Sequence, residues 1–278
     1  MEIIVAKSAG FCYGVKRAID MATKALQEKQ DVYCLGEIVH NKFVIEDLQN
    51  KGLKIIKSIE DVPNGKNLIL RAHGVTQNEE LICKLNGLKS VDTTCPNVEK
   101  IHKIVKEYSE NGYEIIIIGD KNHPEVIGTA GWCKNSPIII NDMEEIKDID
   151  KTLKYCLVSQ TTTNSIKNNE IIEEIKKYID NIEIFNTVCM ATETRQKEAL
   201  ELAKQCDYMI IIGDKMSSNS NKLYEISRKI CKNTQFIENI DELILNFDTN
   251  SCKIGITAGA STPQKLIDEV VSKIADKQ

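Results

Sequence analysis

The feature that most constrains the fold is a threefold internal repeat. Each copy begins with a cysteine that lies between a β-prone run and a helix, at Cys12, Cys95 and Cys189. A glycine follows each cysteine after 24 residues and a polar residue after 28: Gly36, Gly119 and Gly213, then His40, His123 and Ser217. The second and third copies also share the strand sequences IIIIGDK and MIIIGDK. The chain therefore consists of three related lobes of about 90 residues each.

Strand-like and helix-like segments alternate within each lobe, which predicts an α/β fold with three small parallel sheets. The apolar run Tyr113–Ile118 is typical of a parallel strand that is covered on both faces. We place the lobes at residues 13–96, 97–190 and 191–278. The N-terminal segment 1–12 is assigned to the third lobe, because that lobe lacks an outgoing strand. Ligands are expected at the carboxyl ends of the strands.

Helix starts are marked by local sequence signals. Thr76 with Glu79 three residues later is a capping box, and Thr262 followed by Pro263 predicts the N-cap and first residue of the last helix. Two further segments complete the second and third lobes, an acidic helix at Asp142–Ile149 and the segment Asp241–Phe247.

Composition excludes several classes of protein. The 278 residues are 42% hydrophobic and 28% charged, which is typical of a globular protein rather than a disordered one. A net charge of -5 argues against a nucleic-acid surface. The first residues do not have the pattern of a signal peptide and no window approaches a membrane span, so we expect neither. Ten cysteines without such a leader, and without a CxxC pair, predict thiols or metal ligands in a reducing cytoplasm.

The three repeated cysteines predict a metal site with threefold symmetry. A cysteine at the start of a helix is favoured as a thiolate by the positive end of the helix dipole. Structural zinc takes four protein ligands, and electron-transfer 4Fe-4S clusters take four cysteines. A 4Fe-4S cubane on three cysteines leaves one iron open to substrate. The remaining cysteines lie outside the repeat pattern and are interpreted as small buried hydrophobic residues: Cys34, Cys83, Cys133, Cys156, Cys206, Cys231 and Cys252.

Histidines and small polar residues collect at the predicted strand exits. Three of the four histidines lie there, and they are joined by residues close to helix starts: His40, His73 and His123, then Ser217, Ser218, Asn219 and Ser261. Such groups bind an anion by hydrogen bonding. Neither a Walker motif nor GxGxxG is present, so a nucleotide is not favoured. His102 lies in the middle of a predicted helix and is interpreted as structural.

Glu125 is the only acid in the loops that lie 28 to 30 residues after the repeated cysteines, and it is the natural proton donor. Thr161 and Thr162 follow a predicted strand. They are equally suited to capping the next helix and to binding a substrate hydroxyl.

These residues occur in motifs that resemble those of the 4-hydroxy-3-methylbut-2-enyl diphosphate reductase family. The matching segments are distributed along the whole chain: Gly10–Val15, Val39–Asn41, Ala72–Val75, Asp92–Pro96, His123–Thr129, Ser159–Thr162, Ser217–Asn221 and Thr257–Ser261. The departures are Asn122, where the family usually has glycine, and Tyr13, which is at a variable position.

The resemblance implies an α/β trefoil of three lobes around a 4Fe-4S cluster held by Cys12, Cys95 and Cys189. The residues implied to bind the diphosphate are His40, His73, His123, Ser217, Ser218, Asn219 and Ser261. Thr161, with Thr162 beside it, is implied to orient the allylic hydroxyl, and Glu125 to supply protons. His123 is counted among both the catalytic and the substrate-binding residues.

The implied products are isopentenyl and dimethylallyl diphosphates, and the implied electron donor is a ferredoxin or a flavodoxin. A monomer or a weak dimer is expected. Two alternatives stay open from the sequence: another three-cysteine cluster enzyme of similar lobed plan, such as quinolinate synthase, and a non-catalytic iron–sulfur sensor or zinc-stabilised scaffold.

Overall fold

The computed structural model describes residues 1–142, 145, 150–246 and 252–277. The strands, in chain order, are β1 (Glu2–Val5), β2 (Val32–Leu35), β3 (Lys54–Ile56), β4 (Asn67–Leu70), β5 (Lys89–Asp92), β6 (Glu114–Ile118), β7 (Ile138–Ile140), β8 (Tyr155–Ser159), β9 (Ile182–Ile184), β10 (Tyr208–Ile212), β11 (Thr234–Ile237) and β12 (Lys253–Ala258). The helices are α1 (Tyr13–Glu28), α2 (Lys42–Asn50), α3 (Gln77–Leu85), α4 (Pro96–Glu110), α5 (Pro124–Ala130), α6 (Ser165–Tyr178), α7 (Met190–Gln205), α8 (Ser218–Ile230) and α9 (Gln264–Ala275).

The chain forms two compact units. The first unit contains Met1–Lys16, His40–Glu46 and Met190–Gln278, and the second contains Arg17–Val39 and Asp47–Cys189. None of the helices in the described ranges has the length and apolar run needed to cross a bilayer.

Three four-stranded sheets are formed within the described residues, and every strand pair in them is parallel. The second unit holds two sheets, with strand orders β3-β2-β4-β5 and β7-β6-β8-β9. The first unit holds the sheet β1-β12-β10-β11, in which Glu2 pairs with Lys253 and Val5 with Ile256. The predicted α/β class with three small parallel sheets is therefore confirmed. The lobe boundaries given above stay a prediction.

The central strands are buried on both faces, as a parallel sheet requires. Ile115 to Ile118 of β6 are each at most 2% exposed, and Ile210 to Ile212 of β10 are at most 1% exposed. Helices cover both faces of these strands, because each parallel connection must cross over the sheet. The carboxyl ends of the strands are thereby followed by short loops that lead into helices.

Two of the repeated glycines allow a helix to pack closely on the end of a strand. A Cβ atom at Gly119 would lie 2.8 Å from Val126 Cγ2 and 2.9 Å from Gln160 Cβ. A Cβ atom at Gly213 would lie 2.8 Å from Ser220 Cβ. In both cases the contacting helix residue follows its glycine by seven positions. The same packing thus recurs in the second and third repeats, which gives the repeated glycine a physical reason.

The predicted helix starts are confirmed in one case and wrong in another. The Thr76–Glu79 capping box is present at α3. The N-cap of α9, however, is Pro263 and not Thr262. The Thr262 hydroxyl instead donates a hydrogen bond to the Ile212 carbonyl, so it serves the sheet rather than the helix.

Two predicted segments fall largely or partly outside the described residues. Most of the predicted helix Asp142–Ile149 lies outside them, as does Phe247 at the end of Asp241–Phe247. Within the latter segment, Asp241 and Glu242 belong to a 3-10 turn at Ile240–Glu242.

We expect Gly119→Ala to lower the free energy of unfolding by about 1–3 kcal/mol, because the added methyl group overpacks a rigid contact. Urea unfolding of Gly119→Ala, Val126→Ala and the double variant measures this. Because Val126→Ala removes the nearest of the three clashing atoms, Gly119→Ala should cost less in that background. Additive costs in the double variant would contradict the proposed close contact.

Candidate active site

The predicted site residues follow strand ends and helix starts in both units. The first unit contains Cys12, His40, Ser217, Ser218, Asn219 and Ser261. The second unit contains His73, Cys95, His123, Glu125, Thr161, Thr162 and Cys189.

Glu125 and Thr161 form a buried pair in the second unit. Glu125 is 3% exposed and lies in the first turn of α5, whereas Thr161 follows β8 and is 6% exposed. The Thr161 backbone N–H donates to Glu125 Oε1 at 2.6 Å, and Thr161 Oγ1 donates to Glu125 Oε2 at 2.7 Å. Both oxygens of the carboxylate are thus held by one residue.

Burial raises the pKa of Glu125 to about 7, even though the two hydrogen bonds from Thr161 act to lower that pKa. Desolvation disfavours the charged form of a carboxyl group, and here it outweighs the two donors. A carboxyl group with such a pKa holds a proton for a large part of the time near neutral pH. This is the property that a general acid requires.

His123 is the N-cap residue of α5, and its ring is oriented by the helix. Its Nδ1 accepts a hydrogen bond from the Glu125 backbone N–H at 3.1 Å. Because Nδ1 is an acceptor, the proton of the neutral ring is on Nε2. The His73 ring meets the His123 ring edge to face, with 5.4 Å between centroids. The structure therefore brings His73, His123, Glu125 and Thr161 together in the second unit.

The loop that carries His73 is packed against His102 and Trp132. Gly74 has φ +78°, and a Cβ atom there would lie 2.5 Å from His102 Cε1. The His102 and Trp132 rings are stacked 5.2 Å apart, and Trp132 Nε1 donates to the Val75 carbonyl at 2.8 Å. Burial lowers the pKa of His102 to about 4, so the ring is neutral at physiological pH. This agrees with its structural interpretation.

The three repeated cysteines share a local setting. Cys95 is the N-cap residue of α4 with Pro96 at the first helical position, and Cys12 and Cys189 directly precede α1 and α7. The Val15 backbone N–H donates to Cys12 Sγ at 3.4 Å. All three thiols thus lie at helix starts.

The cysteines differ in exposure in a way that fits metal binding. Cys12, Cys95 and Cys189 are partly exposed, whereas Cys34, Cys83, Cys156, Cys206, Cys231 and Cys252 are buried. Burial raises the pKa of the Cys34 thiol to about 12. Cys133 is also partly exposed, but burial raises the pKa of its thiol to about 12 and its Sγ donates to the Thr129 carbonyl. The donor set of the three repeated cysteines therefore suits a metal, and the other cysteines suit the core.

The start of α8 in the first unit presents polar groups. Ser217 is its N-cap residue and accepts from the Ser220 backbone N–H at 3.4 Å. Asn219 is 4% exposed, and neither polar atom of its side chain has a hydrogen-bond partner within the described residues. Because an unpartnered buried amide is costly, this side chain fits a polar ligand at the helix start.

Two further contacts join predicted residues in the first unit. Ser261 Oγ donates to the His40 carbonyl at 2.8 Å, and the Cys12 backbone N–H donates to the Ala260 carbonyl at 3.0 Å. The segment that follows β12 therefore holds both the His40 loop and the Cys12 loop. Thr162 lies elsewhere, in the second unit, where its hydroxyl accepts from Gln160 Nε2 at 2.9 Å.

The suggestion that Thr161 or Thr162 caps the next helix is wrong. The N-cap of α6 is Asn164, whose side chain accepts from the Lys167 backbone N–H at 3.0 Å. Thr161 is therefore available to Glu125.

Sequence reasoning missed Arg195, which is 4% exposed on α7. It donates to the Gly10 carbonyl at 2.7 Å and to the Ala191 carbonyl at 3.0 Å, and so fixes the loop before Cys12. The sequence shows only a charged residue within a predicted helix, and such a residue lies more often on the exposed face of a helix than in its buried face.

Comparison with known proteins identifies the family. The family model described as LytB protein matches residues 3–275. A protein of Caldanaerobacter subterraneus subsp. tengcongensis named 4-hydroxy-3-methylbut-2-enyl diphosphate reductase is 45% identical over 278 residues, which is 99% of this chain and 96% of that protein. A protein of the same name from Clostridioides difficile is 46% identical over 275 residues, 98% of each chain.

Solved structures agree with the sequence comparison. The E-1-hydroxy-2-methyl-but-2-enyl-4-diphosphate reductase of Plasmodium falciparum has a TM-score of 0.93 at 32% identity, covering 98% of this chain and 87% of its own. A second structure, of (E)-4-hydroxy-3-methyl-but-2-enyl diphosphate reductase, described as the terminal enzyme of the non-mevalonate pathway, has a TM-score of 0.72 at 38% identity, covering 99% and 100%. The resemblance seen in the motifs is confirmed, and the chain belongs to the LytB protein family.

Proposed function

We propose that the chain is a reductase of the non-mevalonate isoprenoid pathway. It converts (E)-4-hydroxy-3-methylbut-2-enyl diphosphate to isopentenyl diphosphate and dimethylallyl diphosphate. In this reaction two electrons and two protons break the allylic C–O bond, form a C–H bond and release water. The observation that carries the proposal is the buried Glu125–Thr161 pair, which supplies a proton donor of raised pKa in a chain of the LytB family.

The proposed cofactor is an iron–sulfur cluster, in agreement with the chemistry of the family. We assign Cys12, Cys95 and Cys189 as ligands of a 4Fe-4S cluster in which one iron has no protein ligand. Their shared place before helix starts and their partial exposure support this assignment. When bound, the cluster supplies single electrons and a Lewis-acidic iron.

Glu125 and Thr161 are proposed to deliver the proton that accompanies loss of the hydroxyl group. A protonated Glu125 can donate through Oε2 to Thr161 Oγ1 across 2.7 Å. Thr161 Oγ1 then has its own proton available for the substrate oxygen. Hydroxide is a poor leaving group, so protonation of that oxygen lowers the barrier to C–O cleavage. Thr161 also orients the substrate hydroxyl, and Thr162 is proposed as a neighbouring substrate contact.

The diphosphate is proposed to bind through histidine, hydroxyl and amide donors. The Nε2 proton of His123 points away from the helix-capping nitrogen, and His40 and His73 add further ring nitrogens. The α8 start adds Ser217, Ser218 and Asn219 to the proposed set, and the segment between β12 and α9 adds Ser261. The buried, unpartnered Asn219 amide supports this assignment, because a phosphate oxygen would satisfy its N–H groups.

The alternative functions are not favoured. Relatives that cover nearly the whole chain carry the reductase name, and none of those reported above is named as a quinolinate synthase, a sensor or a zinc scaffold. The electron donor is proposed to be a ferredoxin or a flavodoxin.

The proposed function is tested by anaerobic turnover. Protein reconstituted with iron and sulfide is mixed with the allylic alcohol diphosphate and reduced methyl viologen. We expect viologen oxidation together with formation of both five-carbon diphosphates, measured by chromatography. Two viologens should be oxidised for each product molecule. A reconstituted protein that leaves the substrate unchanged would refute the assignment.

For the proton donor, we expect Glu125→Gln to reduce turnover by about 10²–10⁴-fold, because the amide keeps the shape of the carboxyl group but gives no comparable proton. Iron content should stay at the wild-type value. Glu99→Gln, an exposed acid paired with Lys103, is the control and should keep its activity. Equal activity of Glu125→Gln and wild type would remove Glu125 from this role.

The pH dependence of turnover has a defined sign. Because the folded-state pKa of Glu125 is raised to about 7, the acid form is lost as the pH rises through about 7. Wild-type turnover limited by proton delivery should fall over that range. Thr161→Val removes a donor that lowers this pKa together with the hydroxyl group that is proposed to pass on the proton. Its turnover should therefore be low, and the falling limb of the residual turnover should lie at higher pH. A limb that stays in place would contradict the link between the two residues.

For the metal site, Cys95→Ser should lose most of its iron and sulfide after anaerobic reconstitution, because a serine hydroxyl is a poor ligand for an iron–sulfur cluster. Cys83→Ala changes a core cysteine and should keep both. The measurement is iron and sulfide analysis with the visible absorption spectrum. Full iron content in Cys95→Ser would exclude Cys95 as a ligand.

A further inference from the structure

A depression of about 560 Å³ opens on the second unit between α3, α4 and the residues that follow α5. Leu81, Lys84, Lys106 and Trp132 line it, with Glu80 beside them. We call it the Trp132 depression. It is distinct from the Glu125–Thr161 pair, and none of the roles described above uses it.

The side chains of the Trp132 depression are those of a protein interface. Trp132 is the only tryptophan of the chain and is partly exposed. Leu81 is 52% exposed, and Leu85, one turn further along α3, is 76% exposed. Aromatic and apolar groups at the centre with charged groups around them are typical of docking surfaces. The Lys106 ammonium lies 5.8 Å from the centre of the Trp132 ring.

The side chains that line the depression carry one excess positive charge on a chain that is acidic as a whole. Lys84 and Lys106 outnumber Glu80, whereas the chain carries a net charge of -5. Within the described ranges, neither Lys84 nor Lys106 forms an ion pair at contact distance. Burial raises the pKa of the Glu80 carboxyl, and both ammonium groups act on it at longer range to lower that pKa. A second depression, on the first unit, has the opposite balance, with Asp268, Glu269 and Asp276 against two lysines. Of the two depressions, the Trp132 depression is therefore the one whose lining charges favour an acidic partner.

A continuous layer of packed groups leads from this depression to Cys95. The Trp132 ring stacks on the buried His102 ring at an interplanar angle of 21°. His102 lies on α4, about 10 Å along the helix axis from Cys95 at its start. His102 also contacts Gly74, and the neighbouring Ala72 carbonyl accepts from the Cys95 backbone N–H at 3.0 Å.

We propose that the Trp132 depression is the docking surface for a small acidic protein that carries one electron at a time, of the ferredoxin or flavodoxin type. This inference rests on the proposed function, which consumes two electrons. Two reduced carriers each lose one electron per turnover. Those electrons, with two protons, convert the allylic C–OH group to C–H and water. The packed layer from Trp132 to Cys95 places a docked carrier next to α4, whose N-cap residue Cys95 is a proposed cluster ligand.

The test is charge reversal in the reconstituted protein, with ferredoxin and flavodoxin as probes. The double variant Lys84→Glu/Lys106→Glu reverses the charge of the two lysines that line the depression. Lys197→Glu/Lys265→Glu makes the same change of net charge on exposed residues of α7 and α9 and is the matched control. Calorimetric titration gives the Kd for each carrier at low and high salt. Turnover is measured separately with reduced carrier and with reduced methyl viologen, and circular dichroism checks the fold.

We expect Lys84→Glu/Lys106→Glu to raise the Kd for the carrier about ten-fold or more at low salt, with a smaller difference at high salt. Carrier-driven turnover should fall in parallel, while viologen-driven turnover should stay within about two-fold of wild type because a small reductant needs no docking surface. The control variant should match wild type in every measurement.

Several results would overturn the proposal: wild-type protein that binds neither carrier, a surface variant with the wild-type Kd, or a control variant that loses as much affinity. Loss of viologen-driven turnover in step with carrier-driven turnover would also overturn it. Failure of the proposed function is recognised separately, since wild-type protein would then show no viologen-driven turnover at all while carrier binding could still be measured.

Discussion

The parallel pairing of strands is the constraint on which the rest of this structure depends. Two parallel neighbours need a connection that crosses the sheet, so each strand is followed by a loop and a helix. In this chain the loops after β6, β8 and β10 carry His123, Thr161 and Ser217. The same strands are buried on both faces, which leaves their ends as the only parts where polar side chains meet solvent or ligand. Parallel pairing alone is therefore enough to collect polar side chains at one edge of a small sheet.

Chemistry at that edge depends on desolvation. Glu125 accepts two hydrogen bonds, which would ordinarily favour its charged form, yet its pKa is raised to about 7. The close approach of α5 to β6, which Gly119 permits, contributes to that burial. A packing feature of the repeat and the acid strength of one carboxyl group are thus connected. His102 shows the same physical effect with the opposite sign, since burial lowers its pKa and leaves a neutral ring.

Much of this fold could be predicted from the sequence, because its signals are local. The apolar run Tyr113–Ile118 contains β6, and the capping box of Thr76 and Glu79 marks the start of α3. The helix start at Thr262 could not be predicted correctly, since its hydroxyl is committed to the Ile212 carbonyl, a contact 50 residues away in sequence. Arg195 was missed for the same reason: its partner at Gly10 is set by tertiary packing. The sequence also indicated Glu125 as the proton donor. Its burial, which raises its pKa, depends on how α5 packs and could not be read from the sequence.

Thr161 holds two groups through opposite ends of one residue. Its N–H and hydroxyl bind Glu125, and its carbonyl accepts from the Cys189 backbone N–H at 3.1 Å. A rotation of either peptide unit at this position would move the carboxyl group and the cysteine loop together. The position of the Glu125 carboxyl group and that of the Cys189 backbone are therefore coupled through one residue.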